Sequence, residues 1–560
     1  MMEPLDRRNT SSAPRGGEST SERPRVDSTL KPLDLLIVGA GFAGLYMLHL
    51  ARQQGLTALA IDAAPSVGGT WYANRYPGAR VDIQSLEYSF GFDEALQQQW
   101  HWSERYAGQP ELLRYANHVA DRFKLRDGIE LSARMVGAAF DEAAALWQVS
   151  GDADRRWTAR FVVMATGPLS APNRPSFAGL DSFNGPVHHT ADWPLTPVDF
   201  SGQRVGVIGT GSSGIQLIPL VAQQAEHLTV FQRTPAYAVP AHNGPLDAAY
   251  EARTKADYAG FRARNRAMRT GFGSDLPPGP GSALDASDAE REANFEARWR
   301  IGGFSLLAAY ADLMVNAQAN ALVAEFVRRK IRATVHDPAT AQLLCPQHTI
   351  GCKRLCVDSG YYETFNRPNV RLVDIAGAPV QAITPTGLTL SDGQRHRFDT
   401  LVLATGFDAI TGTLLRMDIR GRGGLPLREH WAAGPRNHLG LMAAGFPNLF
   451  VIGGPGCPAA FVNNTVSIEQ QVQWIAGCLS DLVKAGRHSI EPTPESEAQW
   501  LAKVNSAARA TLFMTCNSWY LGANVPGKPR QFMPLVGGFP AYSALCNEVA
   551  QQGYPGFVLA

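Results

Sequence analysis

Two copies of one short pattern do most to limit what this chain can fold into. An apolar strand, Leu33–Val38, runs into Gly39-Ala40-Gly41-Phe42-Ala43-Gly44 and a helical stretch over 45–54. Much later the strand Arg204–Ile208 runs into Gly209-Thr210-Gly211-Ser212-Ser213-Gly214 and a helical stretch over 215–222. Glycines between a buried strand and a helix let backbone amides close on a pyrophosphate at the helix's positive end. One such pattern is weak, because any tight turn favours glycine. Two of them, each followed by a further strand, predict an α/β chain with two Rossmann-like dinucleotide domains.

The two patterns end differently. After the first, Ala58–Ile61 leads to Asp62, 21 residues beyond Gly41, where a carboxylate accepts the two hydroxyls of an adenosine ribose. After the second, the same count from Gly211 lands on Gln232, and Arg233 and Thr234 follow. An acid there repels a ribose 2′-phosphate, whereas a guanidinium holds it with paired charged hydrogen bonds. The first site therefore suits FAD or NAD and the second NADPH. A surface arginine on a solvated loop remains the plain alternative for Arg233.

At 560 residues the chain is too long for one core. A net charge of +1 gives no attraction to nucleic acid or an anionic membrane, and no apolar run reaches a membrane span. With no signal peptide, the cytoplasm is the expected compartment. Residues 1–31 read as a disordered tail rich in Arg, Ser, Pro and Gly. The strand-to-turn segments at Ala165-Thr166-Gly167 and Ala404-Thr405-Gly406 look like crossovers between domains. They divide the chain into FAD-binding parts at 32–170 and 400–560 and NADP-binding parts at 171–240 and 345–399. A helical subdomain over 241–344 carries its best helix at 306–329 and a loop at 276–281. Residues 68–82 read as a structured loop without helix or strand period. A helix starting near Ser467 points its positive end at the flavin. Seven cysteines, none before Cys345, argue against a redox dithiol beside the first turn. Cys352 and Cys356 read as buried thiols, and no metal site is expected.

The stretch Phe183-x-Gly185-x-x-x-His189-x-x-x-Trp193-Pro194 now matters. So do Gly69, Trp71, Tyr76, Pro77, Gly78 and Asp82, then Cys352-Lys353-Arg354 with residues 360–367, and Asn517 to Asn524. With these motifs the chain resembles the type I Baeyer–Villiger monooxygenases, nearest the phenylacetone monooxygenase kind, over about 33–560. The family more often has Glu where this chain has Asp62. The resemblance implies that NADPH reduces FAD and that O₂ yields a flavin C4a-peroxide, which turns a ketone into an ester or lactone. It places FAD on Gly39, Gly41, Phe42, Gly44, Asp62, Gly69, Thr70, Trp71, Tyr76, Asp82, Tyr88, Val136 and Asn464. It places NADP on Gly209, Thr210, Gly211, Ser212, Ser213, Gly214, Gln216, Arg233, Thr234, Lys353, Arg354 and Trp519. Arg354 is implied as the catalytic cation and Asp82 as the carboxylate that aims it. Phe183, Gly185, His189, Trp193 and Pro194 are implied as a hinge, and 456–464 as a border of the substrate pocket. A monomer or weak homo-oligomer is expected. A related flavin monooxygenase acting on sulfides or amines, and a non-catalytic NADPH-binding module, are the alternatives.

Overall fold

Among residues 31–279 and 281–560, which the computed structural model describes, two sheets carry the two glycine turns. The tail therefore lies outside the described residues save for Lys31, as does Pro280 of the expected loop. The first sheet holds β1 (Leu33–Val38), β2 (Ala58–Ile61), β3 (Ile129–Glu130), β4 (Met135–Asp141), β5 (Leu146–Gly151) and β6 (Arg156–Met164). Parallel β1 is flanked by β2 and β6, and Leu35, Leu36 and Ile37 are wholly buried, as befits a strand covered on both faces. Asp418–Arg420 and Leu449–Val451 join this sheet from the C-terminal part, on β4 and β6.

The second sheet is all parallel, in the order Val370–Asp374, β9 (His227–Gln232), β8 (Arg204–Ile208), Thr400–Leu403, β7 (Val187–His189). Thr400–Leu403 was expected to re-enter the first domain. Its pairing with β7 and β8 instead puts it in the second, so the boundary drawn at 399/400 falls too early. A repeated local pattern explains the error. Each glycine turn packs on the Ala-Thr-Gly that follows a strand of its own sheet. A Cβ on Gly39 would sit 2.5 Å from the Ala165 carbonyl oxygen, and one on Gly209 2.4 Å from that of Ala404.

The helical excursion contains Ala248–Ala256, Tyr258–Ala267, Asp288–Ile301 and Ala317–Thr334. The continuous helix expected over 306–329 is broken. A 3₁₀ turn, Gly303–Ala308, follows Gly302 and Gly303 at positive φ. The helix proper starts only where Asn316 caps it by accepting the Gln318 and Ala319 amides. In the 68–82 loop, Thr70–Ala73 forms one helical turn that the sequence reading did not anticipate. Helix Asn464–Lys484 packs on Phe42–Gln53 and begins three residues before Ser467, because Asn463 accepts the Thr465 amide. Among the described residues no helix is long and apolar enough to cross a membrane.

Candidate active site

The first turn is closed tightly. A Cβ on Gly44 would lie 1.8 Å from the Gly39 oxygen, and Gly41 faces Gly69 so closely that a Cβ on Gly69 would come within 2.9 Å of the Gly41 Cα. Phe42 and Gly44 start the helix behind this turn, with Thr70 and Trp71 on the turn beside it. Asp62 accepts the Ala40 amide at 2.6 Å and the Ala64 amide at 2.8 Å. Burial raises its pKa, and those two amides oppose the rise. Tyr88 packs edge-on to Trp71 and against Phe42. Asn464 opens the helix whose cap, Asn463, donates to the Glu87 carbonyl. Val136 stands apart, with its side chain 45% exposed at a register shift of β4.

The second turn repeats the construction, with Gly214 over Gly209 and the Thr210 hydroxyl donating to the Thr234 carbonyl. Ser212 lies 3.5 Å from the Cys356 sulfur. Beyond β9 the chemistry changes. Gln232 is buried and donates to the Leu343 carbonyl, whereas Arg233 is exposed. Burial lowers the Lys353 pKa, and the Arg233 charge lowers it further. His348, which the sequence reading missed, is pushed down to about 4 by burial and by Lys353. Lys353 and Arg233 lie close enough for each charge to disfavour the other.

One loop joins the two turns. Tyr76, expected at the first site, donates its hydroxyl to Gln216, expected at the second, at 2.8 Å. Gln216 in turn donates to the Arg80 carbonyl, and a Cβ on Gly78 would strike the Gln216 oxygen at 2.4 Å. Two residues past Arg80, Asp82 receives Arg354 in a two-pronged pair, Nε at 2.7 Å and Nη2 at 2.9 Å. Arg354 Nη1 also donates to the Ala460 carbonyl at 3.0 Å, which brings the 456–464 segment to the same point. The guanidinium lies 5.1 Å from the Phe304 ring centroid. Burial works against its charge, yet attraction and hydrogen bonding to Asp82 prevail and raise its pKa. Three of its five N–H groups are engaged by Asp82 and Ala460, and the Tyr520 hydroxyl lies close enough to interact with the guanidinium as well.

Residues 36–248 match the family described as pyridine nucleotide-disulphide oxidoreductase, although no cysteine lies in that stretch. A Baeyer–Villiger monooxygenase of Pseudooceanicola batsensis is 41% identical over 530 residues, covering 94% of this chain and 96% of its own length. This chain belongs to the Baeyer–Villiger monooxygenase family. An oxidized steroid monooxygenase bound to NADP superposes with a TM-score of 0.90 at 49% identity, covering 94% of this chain and 99% of that one. A phenazine N-monooxygenase of Lysobacter antibioticus is 40% identical, covering 95% of this chain and 98% of its own.

The remaining motifs of the Baeyer–Villiger family fall around the crossovers. His189 Nδ1 accepts the Ala191 amide, so its hydrogen is on Nε2, 3.1 Å from the Thr405 hydroxyl and 3.4 Å from the Asn173 carbonyl. Burial lowers its pKa, which disfavours the charged ring. Phe183 packs on Phe398, Gly185 is pressed against the Asp399 carbonyl, and Trp193, just before Pro194, contacts His188 and Phe200. Trp519 begins the turn Trp519–Leu521, packed on Tyr520 and beside Ile410 and Met533. One expectation fails here. Cys352 is not a thiol but is bonded to Cys516, 164 residues away, while Cys356 is a free buried thiol as expected. Sequence spacing carries no signal for a bond across that distance.

Proposed function

We propose that the chain is an NADPH- and O₂-dependent Baeyer–Villiger monooxygenase that converts a ketone to an ester or lactone. FAD would lie in the first turn and the NADP coenzyme in the second. The residues fit both groups. Each turn is packed too closely on its own backbone to admit a Cβ at its first and last glycine, and in the second turn the middle glycine, Gly211, faces open space where a pyrophosphate would approach. The first adds a half-buried acid, Asp62, and the second the neighbouring cations Arg233 and Lys353. Bound FAD, reduced by NADPH, supplies the activation of oxygen.

The observation that carries the reading is Arg354 held by Asp82 on the loop that joins the two turns. The part of its guanidinium not held by Asp82 and Ala460 serves as a fixed donor for negative charge developing on oxygen, such as that on the ketone carbonyl. An arginine does this without giving up its proton, which a lysine with a lowered pKa would do. Asp82 aims the guanidinium, and Ala460 fixes the end nearest the substrate border. His189, bonded to Thr405 in the second crossover and to Asn173 beyond the first, acts as a hinge. Trp519 and Tyr520 cover the coenzyme and exclude water.

A second reading, oxygen transfer to nitrogen, is favoured by the likeness to the phenazine N-monooxygenase. The test is incubation of the holoenzyme with NADPH, air and a panel of ketones, sulfides and amines, with products identified by mass. The reading predicts an ester or lactone one oxygen heavier than its ketone, formed with matching NADPH loss. Oxygen delivered only to amines, or NADPH loss with no ketone product, would overturn it.

A further inference from the structure

The disulfide Cys352–Cys516 links two functional segments directly. Cys352 immediately precedes Lys353-Arg354, and Cys516 immediately precedes Asn517-Ser518-Trp519. The Cα atoms stand 6.1 Å apart, within the span a disulfide bridges without moving the backbone. The strap over 512–536 has a second, independent anchor at its far end. There Lys528 pairs with Asp408 at 2.6 Å and donates to the Ala409 carbonyl, and Asn524 donates to the Phe407 carbonyl. At the near end the other polar ties are slight: the Thr515 hydroxyl to that of Thr349, and the Leu512 amide to the Met314 carbonyl. Phe461 packs on Phe513 at the near end and on Tyr520 and Phe532 further along.

We infer that Cys352–Cys516 is a thiol–disulfide modification site that locks the near end of the coenzyme strap when oxidised and frees it when reduced. The redox partner is a dithiol. Its thiolate attacks the Cys516 sulfur, which is partly exposed, and expels the buried Cys352 as a thiolate that takes up a proton. The second thiol of the dithiol then attacks the mixed disulfide and releases Cys516 as a thiol. Two electrons pass to the protein and the dithiol becomes a cyclic disulfide. The reverse exchange closes the lock. Disulfides are rare in a reducing compartment, and those that form there are mostly transient. The other five cysteines are buried, so no second surface thiol competes for the exchange. Opening the bond removes the covalent cross-link between the strap and the Lys353-Arg354 segment, so the near end is held only by packing and a few hydrogen bonds and opens more readily. This consequence rests on the coenzyme site proposed above, whereas the bond itself does not.

The experiment uses air-purified holoenzyme with and without dithiothreitol. Thiol titration after denaturation should find five thiols without it and seven with it, from seven cysteines and one bridge. NADP⁺ release should accelerate roughly fivefold or more on reduction, with more NADPH lost as H₂O₂. Cys516→Ser should release NADP⁺ at the reduced rate whether or not dithiothreitol is present, and Cys352→Ala should do the same. Seven thiols in untreated protein would overturn the bond. Five thiols with NADP⁺ release unchanged on reduction would overturn the lock. Failure of NADP⁺ to bind in either state, with the thiol count changing from five to seven, would place the fault in the coenzyme assignment and sink the lock with it.

Discussion

In the first glycine turn a Cβ on Gly44 would lie 1.8 Å from the Gly39 oxygen; in the second, one on Gly214 would lie 2.3 Å from the Gly209 oxygen. Up to that point the two turns are one device used twice, even to the Ala-Thr-Gly each rests upon. They part company one strand later. The first places Asp62 among backbone amides, while the second buries a glutamine and sets Arg233 and Lys353 against each other. The turn provides for a pyrophosphate, and the residue after the second strand chooses the ribose that comes with it.

The comparison is broken most forcefully at the turns. Gly44→Ala forces a Cβ into backbone that has no room to move, so the protein should purify without its yellow flavin or fail to accumulate. Gly214→Ala should stay yellow while its KM for NADPH rises by more than an order of magnitude. Absorbance at purification and steady-state kinetics separate the two, and a colourless Gly214→Ala protein would show that the turns are not independent.

A smaller effect is expected where the turns differ. Arg233→Ala removes charged hydrogen bonds worth about 1.5–3 kcal/mol each, so the NADPH KM should rise roughly tenfold or more while the NADH KM barely changes. Equal losses for both coenzymes would remove Arg233 from the phosphate site.

The mildest test uses pH. Lys353 has its pKa lowered by burial and by Arg233, so its charge is lost as pH rises through that lowered value, before an ordinary lysine titrates. Affinity for a 2′-phosphate should therefore weaken with rising pH, and affinity for NADH, which lacks the phosphate, should not. The ratio of the two KM values between neutral and alkaline pH reads this directly. Lys353→Ala should flatten the ratio.

What was legible in the sequence follows from distance along the chain. Strand, glycine turn, helix and Asp62 are neighbours, so local pattern sufficed. The same holds for Gln232 and Arg233. The Phe304 ring beside Arg354, His348 beside Lys353 and the Tyr76–Gln216 bond arise only when remote segments pack, and no spacing announces them. Thr400–Leu403 was assigned to the wrong sheet although a signal existed. Its Ala-Thr-Gly repeats the one at 165–167, and the repetition itself assigns one copy to each turn. The helix over 306–329 failed because Leu306 to Ala308 belong to a 3₁₀ turn and Asn316, in extended conformation, caps a new helix.

The central claim is that Arg354, aimed by Asp82 between the two turns, serves oxygen insertion rather than flavin binding or reduction. Arg354→Ala should purify yellow and should still be bleached by NADPH without air. Mixed afterwards with O₂ and a ketone, it should form ester at least about a hundredfold more slowly, the loss of one fixed cationic contact being worth about 3 kcal/mol or more. Ester formed by Arg354→Ala at close to the unmodified rate after rapid mixing would contradict the account.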